Sequence, residues 1–244
     1  MHSIDLNCDM GESTSLHTYD IERDIALMQY LSSVNLACGY HAGDAHTMNR
    51  LVETAMDKRI AIGAHPSFPD RDNFGRTNMV LSSSEVYDIV LYQLGALHAF
   101  VKVTGGAIHH VKPHGALYNM AAKNRELADA ICKAIADFDE KLILYGLAGS
   151  KLITAASAIG LATASEIFSD RTYQDDGSLT SRTIPNALIE DEQLAIKQVL
   201  QMVKTGTVKT LSGKNILLSA ETICIHGDGK MAIRFAEALS FIKL

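Results

Sequence analysis

The sequence contains no tryptophan, and aromatic residues fill only 6% of its 244 positions. A groove that grips extended glycans needs aromatic faces to stack on, so this scarcity weighs against one. The four cysteines (Cys8, Cys38, Cys132 and Cys224) lie far apart and form no CxxC pair. A zinc knuckle or a disulfide framework is therefore not expected, and reduced thiols are. Basic residues are the minority, 22 Lys and Arg against 28 Asp and Glu, for a formal net charge of −6. With no run of four basic residues, no global electrostatic footprint for nucleic acid is present. Long apolar runs are missing too. The charge-free stretch from Leu152 to Ser165 is rich in Ser, Thr and Ala and falls short of the ~20 apolar residues of a membrane helix. The opening Met-His-Ser-Ile-Asp-Leu has neither the basic nor the apolar region of a leader, so a cytoplasmic location without a membrane partner is expected.

Several catalytic signatures are absent as well. No G-x-x-x-x-G-K-[ST] loop occurs, and the nearest candidate, Gly146 to Lys151, has the wrong spacing. No G-x-G-x-x-G follows a strand pattern, and no G-x-S-x-G elbow is found. A self-contained P-loop ATPase, a Rossmann dehydrogenase and an α/β-hydrolase all lose weight.

What is present is a chain that is 47% hydrophobic and 20% charged, enough for a packed core. Short apolar runs of strand length recur at Ile4–Asp9, Ser33–His41, Ile60–His65, Ile108–His114, Leu142–Leu147, Thr163–Asp170 and Thr222–His226. Helical patterns fill gaps at 45–58, 82–104, 124–137, 190–204 and 230–242. Ser82 and Glu85 have the spacing of a capping box. The alternation predicts a parallel α/β architecture with its site at the carboxyl ends of the strands. Val208–Thr210 and Ile216–Ser219 read as an inserted hairpin. No Pro-, Gly- or Ser-rich linker divides the chain, so residues 1–244 are expected to form a single domain.

Polar residues are informative by position. Asp5, Asn7 and Asp9 alternate along the first run and share a face. The same holds for Asn35 with His41, for His110, Lys112 and His114, for Glu166 with Asp170, and for His226 with Asp228; His65 closes the third run. Charges on interior strands are costly unless paired, ligated or wet. Taken singly, a strand-end histidine is more often a loop hydrogen-bonder than a ligand, and Lys112 fits a side chain that snorkels to solvent. Taken together, the pattern describes a polar basin at one end of the fold. Asp9, His65 and His114 suit a divalent metal with an open position. A metal-free basin whose imidazoles donate directly to substrate is the rival. Lys112 and Arg171 can grip a carboxylate, Arg171 in two-pronged fashion. Residues 171–185, polar and following a strand, are expected to act as a mobile lid.

Six blocks carry a resemblance. They are Asp5-Leu-Asn-Cys-Asp-Met-Gly-Glu12, Asn35-Leu-Ala-Cys-Gly-Tyr-His-Ala-Gly-Asp44, the segment Gly63 to Arg76, Lys112-Pro-His-Gly-Ala-Leu-Tyr-Asn119, Glu166 to Tyr173, and Cys224-Ile-His-Gly-Asp228. In order and over nearly the whole chain, they resemble the LamB/YcsF family. The resemblance implies an irregular seven-stranded (β/α) TIM-like barrel of the glycoside hydrolase/deacetylase type. It implies work as the A subunit of 5-oxoprolinase, opening the lactam of 5-oxo-L-proline to L-glutamate at the expense of ATP, with B and C subunits that carry the phosphorylation step. ATP is then a cofactor of the whole complex. Within that chemistry Asp9 or Glu12 is the expected base, and His41, His65 and His114 are donors or metal ligands. Asn7, Lys112, Glu166, Arg171, His226 and Asp228 are expected to bind substrate. Two departures from the family pattern, Ser13 to His17 and Gly229-Lys230, fall in expected loops near the basin. The alternatives are a metal-dependent carbohydrate deacetylase and a non-catalytic 5-oxoproline-binding subunit.

Overall fold

The computed structural model describes residues 4–14, 19–225, 227 and 232–240. Its centre is a closed barrel of seven parallel strands, in the order β1 (Asp5–Met10), β2 (Ser33–Ala37), β3 (Ala61–His65), β4 (His110–Val111), β5 (Ile143–Leu147), β6 (Ala162–Phe168) and β9 (Thr222–Ile225). The last strand pairs with both β6 and β1, which closes the ring and leaves no sheet edge. The expected seven-stranded TIM-like barrel is therefore present. The inserted hairpin is present too, as β7 (Thr207–Lys209) paired antiparallel with β8 (Asn215–Leu217), outside the barrel.

The strands show why they close this way. Outward-facing positions are apolar and buried under helices: Leu6, Cys8 and Met10 on β1, Val34 and Leu36 on β2, Ile62 and Ala64 on β3, Ile223 and Ile225 on β9. Inward-facing positions carry Asp5, Asn7 and Asp9, then Ser33 and Asn35, then Glu166 and Thr222. A parallel barrel normally fills its interior with layers of branched apolar side chains. Here the polarity is reversed, and the interior holds a connected column of hydrogen bonds.

The helices follow their sequence signals. α2 (Ala45–Lys58) starts on Asp44, whose carboxylate accepts from the Thr47 amide, and buries Met48, Leu51, Val52 and Ala55. α3 (Ser83–Val103) opens with the predicted capping box of Ser82 and Glu85. By length and hydropathy α3 is long and apolar enough to cross a membrane, but its stripe of Val86, Val90, Leu94, Leu97 and Val101 is fully buried in the protein. α5 (Arg125–Phe138) and α7 (Glu192–Thr205) match their predicted spans within two residues. α8 (Ala232–Ser240) ends the described chain.

Three short helices were not expected: α1 (Ile21–Met28), α4 (Gly115–Ala121) and α6 (Lys151–Ala158). The charge-free stretch that begins at Leu152 is thus helix α6 followed by strand β6. Three strands stop well short of their expected runs. β2 ends at Ala37, so His41 lies in the following loop rather than on a strand face with Asn35. β4 is two residues long, yet the Lys112 and His114 amides still donate to the Ala64 and Pro66 carbonyls, at 2.9 and 2.8 Å. That continued pairing keeps His110, Lys112 and His114 on one face. β6 ends at Phe168, which leaves Asp170 beyond the strand.

The expected lid is tied down. Arg171 bridges to Leu188 and Tyr173 to Leu179, and the Ile189 amide donates to the Asp170 carbonyl at 2.8 Å. Tyr173 is fully buried, and its hydroxyl accepts from the Phe168 amide at 2.7 Å.

Candidate active site

The polar column starts at the amino end of the barrel. Asp5 Oδ2 accepts from the Ser33 and Thr222 hydroxyls at 2.9 and 2.5 Å. Thr222 in turn accepts from the Asn7 amide at 2.7 Å, and the same amide nitrogen donates to Glu166 at 3.1 Å. Asn35 donates to Asn7 Oδ1 and Asp9 Oδ1, at 2.8 and 2.9 Å, while its own carbonyl faces His110 Nε2 at 2.7 Å. The His110 ring lies against Gly63. A Cβ at that position would stand 2.1 Å from His110 Nε2, so only glycine fits there.

Lys112 is the hub of the column. Its ammonium lies 2.9 Å from Asp9 Oδ1, 2.7 Å from Glu166 Oε1, 3.1 Å from Asn7 Oδ1 and 3.1 Å from Cys224 Sγ. It is 2% exposed, so it does not snorkel. Burial works against its charge, but Asp9, Cys224 and Glu166 outweigh burial and hold the pKa well above the usual lysine value. Tyr118, on α4, donates to the second Glu166 oxygen at 2.7 Å.

At the carboxyl end of the strands the column opens onto three imidazoles and a carboxylate. His65 Nε2 lies 3.3 Å from Asp9 Oδ2, and its Nδ1 donates to the Lys112 carbonyl at 2.7 Å. His114 Nδ1 faces His65 Nε2 at 3.0 Å and Glu12 Oε1 at 3.3 Å, while its Nε2 donates to the Phe74 carbonyl at 2.9 Å. His41 Nε2 meets Glu12 at 3.0 Å, and the His41 ring stacks on His114 with centroids 3.8 Å apart. Gly75 makes room for this stack at a positive φ of 64°, since a Cβ there would lie 2.8 Å from His41 Cβ. Glu12 is held by the turn before it. The Gly11 amide donates to Asp24 Oδ2 at 2.9 Å, and the Tyr19 hydroxyl does so at 2.7 Å. Burial pushes the Asp24 carboxyl up to about 6.

Electrostatics separate the members. Burial lowers His41 and His114, reinforced by the neighbouring imidazoles, so both favour the neutral ring. Burial opposes charge on His65 as well, but Asp9 outweighs it and raises that pKa. Glu12 is raised by burial, which His114 partly offsets. The ligand atoms of Glu12, His41, His65 and His114 all lie within 4.8 Å of one another.

Arg171 follows β6, with a guanidinium nitrogen donating to the Thr180 carbonyl at 2.6 Å. Among the described residues, Arg171 Nε and His41 Nδ1 are the buried side-chain polar atoms without a hydrogen-bond partner. Burial, with Arg182 nearby, brings the Arg171 pKa down to about 10.

The structure therefore brings together Asn7, Asp9, Glu12, His41, His65, Lys112, His114 and Glu166. His226 and Asp228 lie outside the described residues. Sequence reasoning missed Tyr118 and Cys224 as members of the column. Both sit inside the blocks that carry the family resemblance, Tyr118 four residues past His114, and the inward register of β9 was the available signal for Cys224.

Ionisable groups gathered at the carboxyl ends of the strands of a parallel barrel stand where barrel enzymes carry their active sites. Comparison with known proteins narrows the class. The chain matches the LamB/YcsF family over residues 4–241, and it belongs to that family. It is 57% identical over 240 residues to the A subunit of 5-oxoprolinase from Bacillus cereus (strain 03BB102), covering 98% of this chain and 94% of that protein. The corresponding A subunit from Shouchella clausii (strain KSM-K16) is 55% identical over 239 residues, with the same coverage of 98% and 94%. A crystal structure of the lactam utilization protein from Thermus thermophilus superposes with a TM-score of 0.89 at 42% identity, covering 98% of this chain and 95% of that one.

Proposed function

We propose that this chain is the A component of a 5-oxoprolinase, a cytoplasmic enzyme that opens the lactam ring of 5-oxo-L-proline to L-glutamate with ATP. The observation that carries the reading is the meeting of Asp9, Glu12 and three imidazoles at one barrel mouth. It is joined to near full-length identity of 57% with a relative of that name.

The chemistry accounts for the parts. A lactam carbonyl is a weak electrophile, and transfer of a phosphoryl group from ATP to its oxygen, with ADP released, makes the carbon open to water. Water adds to that carbon, the C–N bond breaks as the ring nitrogen takes up the proton, and a second water releases inorganic phosphate from the acyl phosphate to leave the glutamate carboxylate. In this reading phosphorylation is assigned to the B and C components and ring opening to the basin. Asp9 takes the proton of the attacking water through Oδ2, while Lys112 and Asn35 hold Oδ1 and fix the carboxylate plane. His65 and His114 line the same space, with their outer nitrogens anchored to the Lys112 and Phe74 carbonyls. Glu166 and Asn7 keep Lys112 in place, which makes them positioning residues. Arg171, with one buried nitrogen unpartnered, receives the substrate carboxylate.

The test is glutamate release from 5-oxo-L-proline and ATP by the chain alone, by the B and C components alone, and by the full mixture. The expected result is release in the full mixture only. A full mixture of folded components that hydrolyses no 5-oxoproline contradicts the reading.

A further inference from the structure

We propose that Glu12, His41, His65 and His114 form a binding site for one divalent transition-metal cation. His65 Nδ1 points at the Lys112 carbonyl at 2.7 Å, and His114 Nε2 points at the Phe74 carbonyl at 2.9 Å. A carbonyl oxygen only accepts, so both outer nitrogens carry hydrogens. In the neutral rings, His65 Nε2 and His114 Nδ1 are then bare lone pairs, and they face each other at 3.0 Å. A third electron-rich atom, Glu12 Oε1, stands 3.3 Å from His114 Nδ1 and 3.9 Å from His65 Nε2. His41 Nε2 lies 3.0 Å from that same oxygen.

Two facing lone pairs repel unless something positive sits between them. A proton there serves that pair, and an Nε2–H on His41 donates to Glu12, but each of these satisfies two atoms only. A metal cation serves all four. The backbone carbonyls behind His65 and His114 are the kind of outer partner that fixes the tautomer and aim of metal-bound imidazoles. Three nitrogens and one carboxylate oxygen suit zinc-like cations, whereas magnesium and calcium prefer oxygen throughout.

The set also differs from the Asp9, His65 and His114 expected from sequence, although Asp9 Oδ2 still stands 3.3 Å from His65 Nε2. Asp9 Oδ1 already accepts from Lys112 and Asn35, and Glu12 and His41 stand in its place beside His65 and His114. His41 is the weakest member, because its Nδ1 is buried without a partner to fix the ring. It marks the position that water or substrate can take over. A cation there supplies a Lewis acid next to Asp9.

The experiment uses the isolated chain, stripped with chelator and dialysed separately against zinc and cobalt(II). Bound metal is counted by mass spectrometry, and the cobalt form is read by visible absorption. The expected result is about one equivalent per chain with the strong visible bands of low-coordinate, nitrogen-bound cobalt. His65→Gln and His114→Gln each weaken binding about 100-fold, and His41→Gln about 10-fold. A folded wild-type chain that keeps no zinc and shows no cobalt bands overturns the site. So do His65→Gln and His114→Gln chains that bind like the wild type. No ATP, 5-oxoproline or partner enters the measurement, so its failure leaves the lactam reading standing, and the reverse holds.

Discussion

Asp9→Asn lowers the turnover number of the reconstituted system about 1,000-fold or more, within the range lost when a general base is removed. Asparagine keeps the shape of the side chain. Its carbonyl still accepts from Lys112 and Asn35, which now hold Asp9 Oδ1 at 2.9 Å each. The amide that replaces Oδ2 cannot take a proton from water. Turnover should therefore collapse while the melting temperature moves by only a few degrees. Glutamate release and thermal unfolding, measured on the same preparation, check both halves. Turnover within tenfold of the wild type would remove Asp9 from the role of base.

The second large effect is on stability. Lys112→Met should cost about 3–5 kcal/mol, because it strands Asp9 and Glu166 without their shared cation in a buried setting. For a chain of this size that is a fall of roughly 10 °C in melting temperature. Adding Glu166→Gln should recover part of the loss, since it removes one of the two abandoned charges. The pH dependence has a definite sign. The folded-state pKa of Lys112 lies above the ordinary value of 10.5, so its contribution is complete below that pH and fades only as pH rises through the folded value. The wild type and Lys112→Met should thus differ by a constant amount from pH 6 to pH 9 as far as Lys112 is concerned. A melting temperature within two or three degrees of the wild type would show that the hub does not bear on stability.

The barrel was legible because its strands are short apolar runs closed by turn residues, and because their polar members alternate. Asp5, Asn7 and Asp9 on one run already implied a polar interior face, and the register with Ser33, Asn35 and Thr222 places them there. The missed helices have physical reasons. α4 begins at Gly115, directly after the extended run that carries His114, so a glycine that reads as a stop opens a helix at a φ of 57°. α6 is only eight residues long, and its Ser150 cap is hidden in a stretch of small residues. α1 had a visible cap in Asp20, but its eight residues are too few for periodicity to stand out.

Within the site, sequence position revealed which groups converge but not how they divide. Glu12 and His41 both sit outside the strands, so no strand alternation could pair them. Only the loop path through Gly75 and the His41–His114 stack does so. Likewise Lys112, a plausible surface lysine from its chemistry alone, is buried because β1, β6 and β9 each present an acceptor to it.

The location of 5-oxo-L-proline on the chain tests the central claim most directly. In a crystal structure with the compound bound, the lactam ring should lie at the barrel mouth against the Asp9, Glu12, His65 and His114 cluster, with the carboxylate turned toward Arg171. Binding at the amino end of the barrel beside Asp5, or on the outer helices, would contradict it.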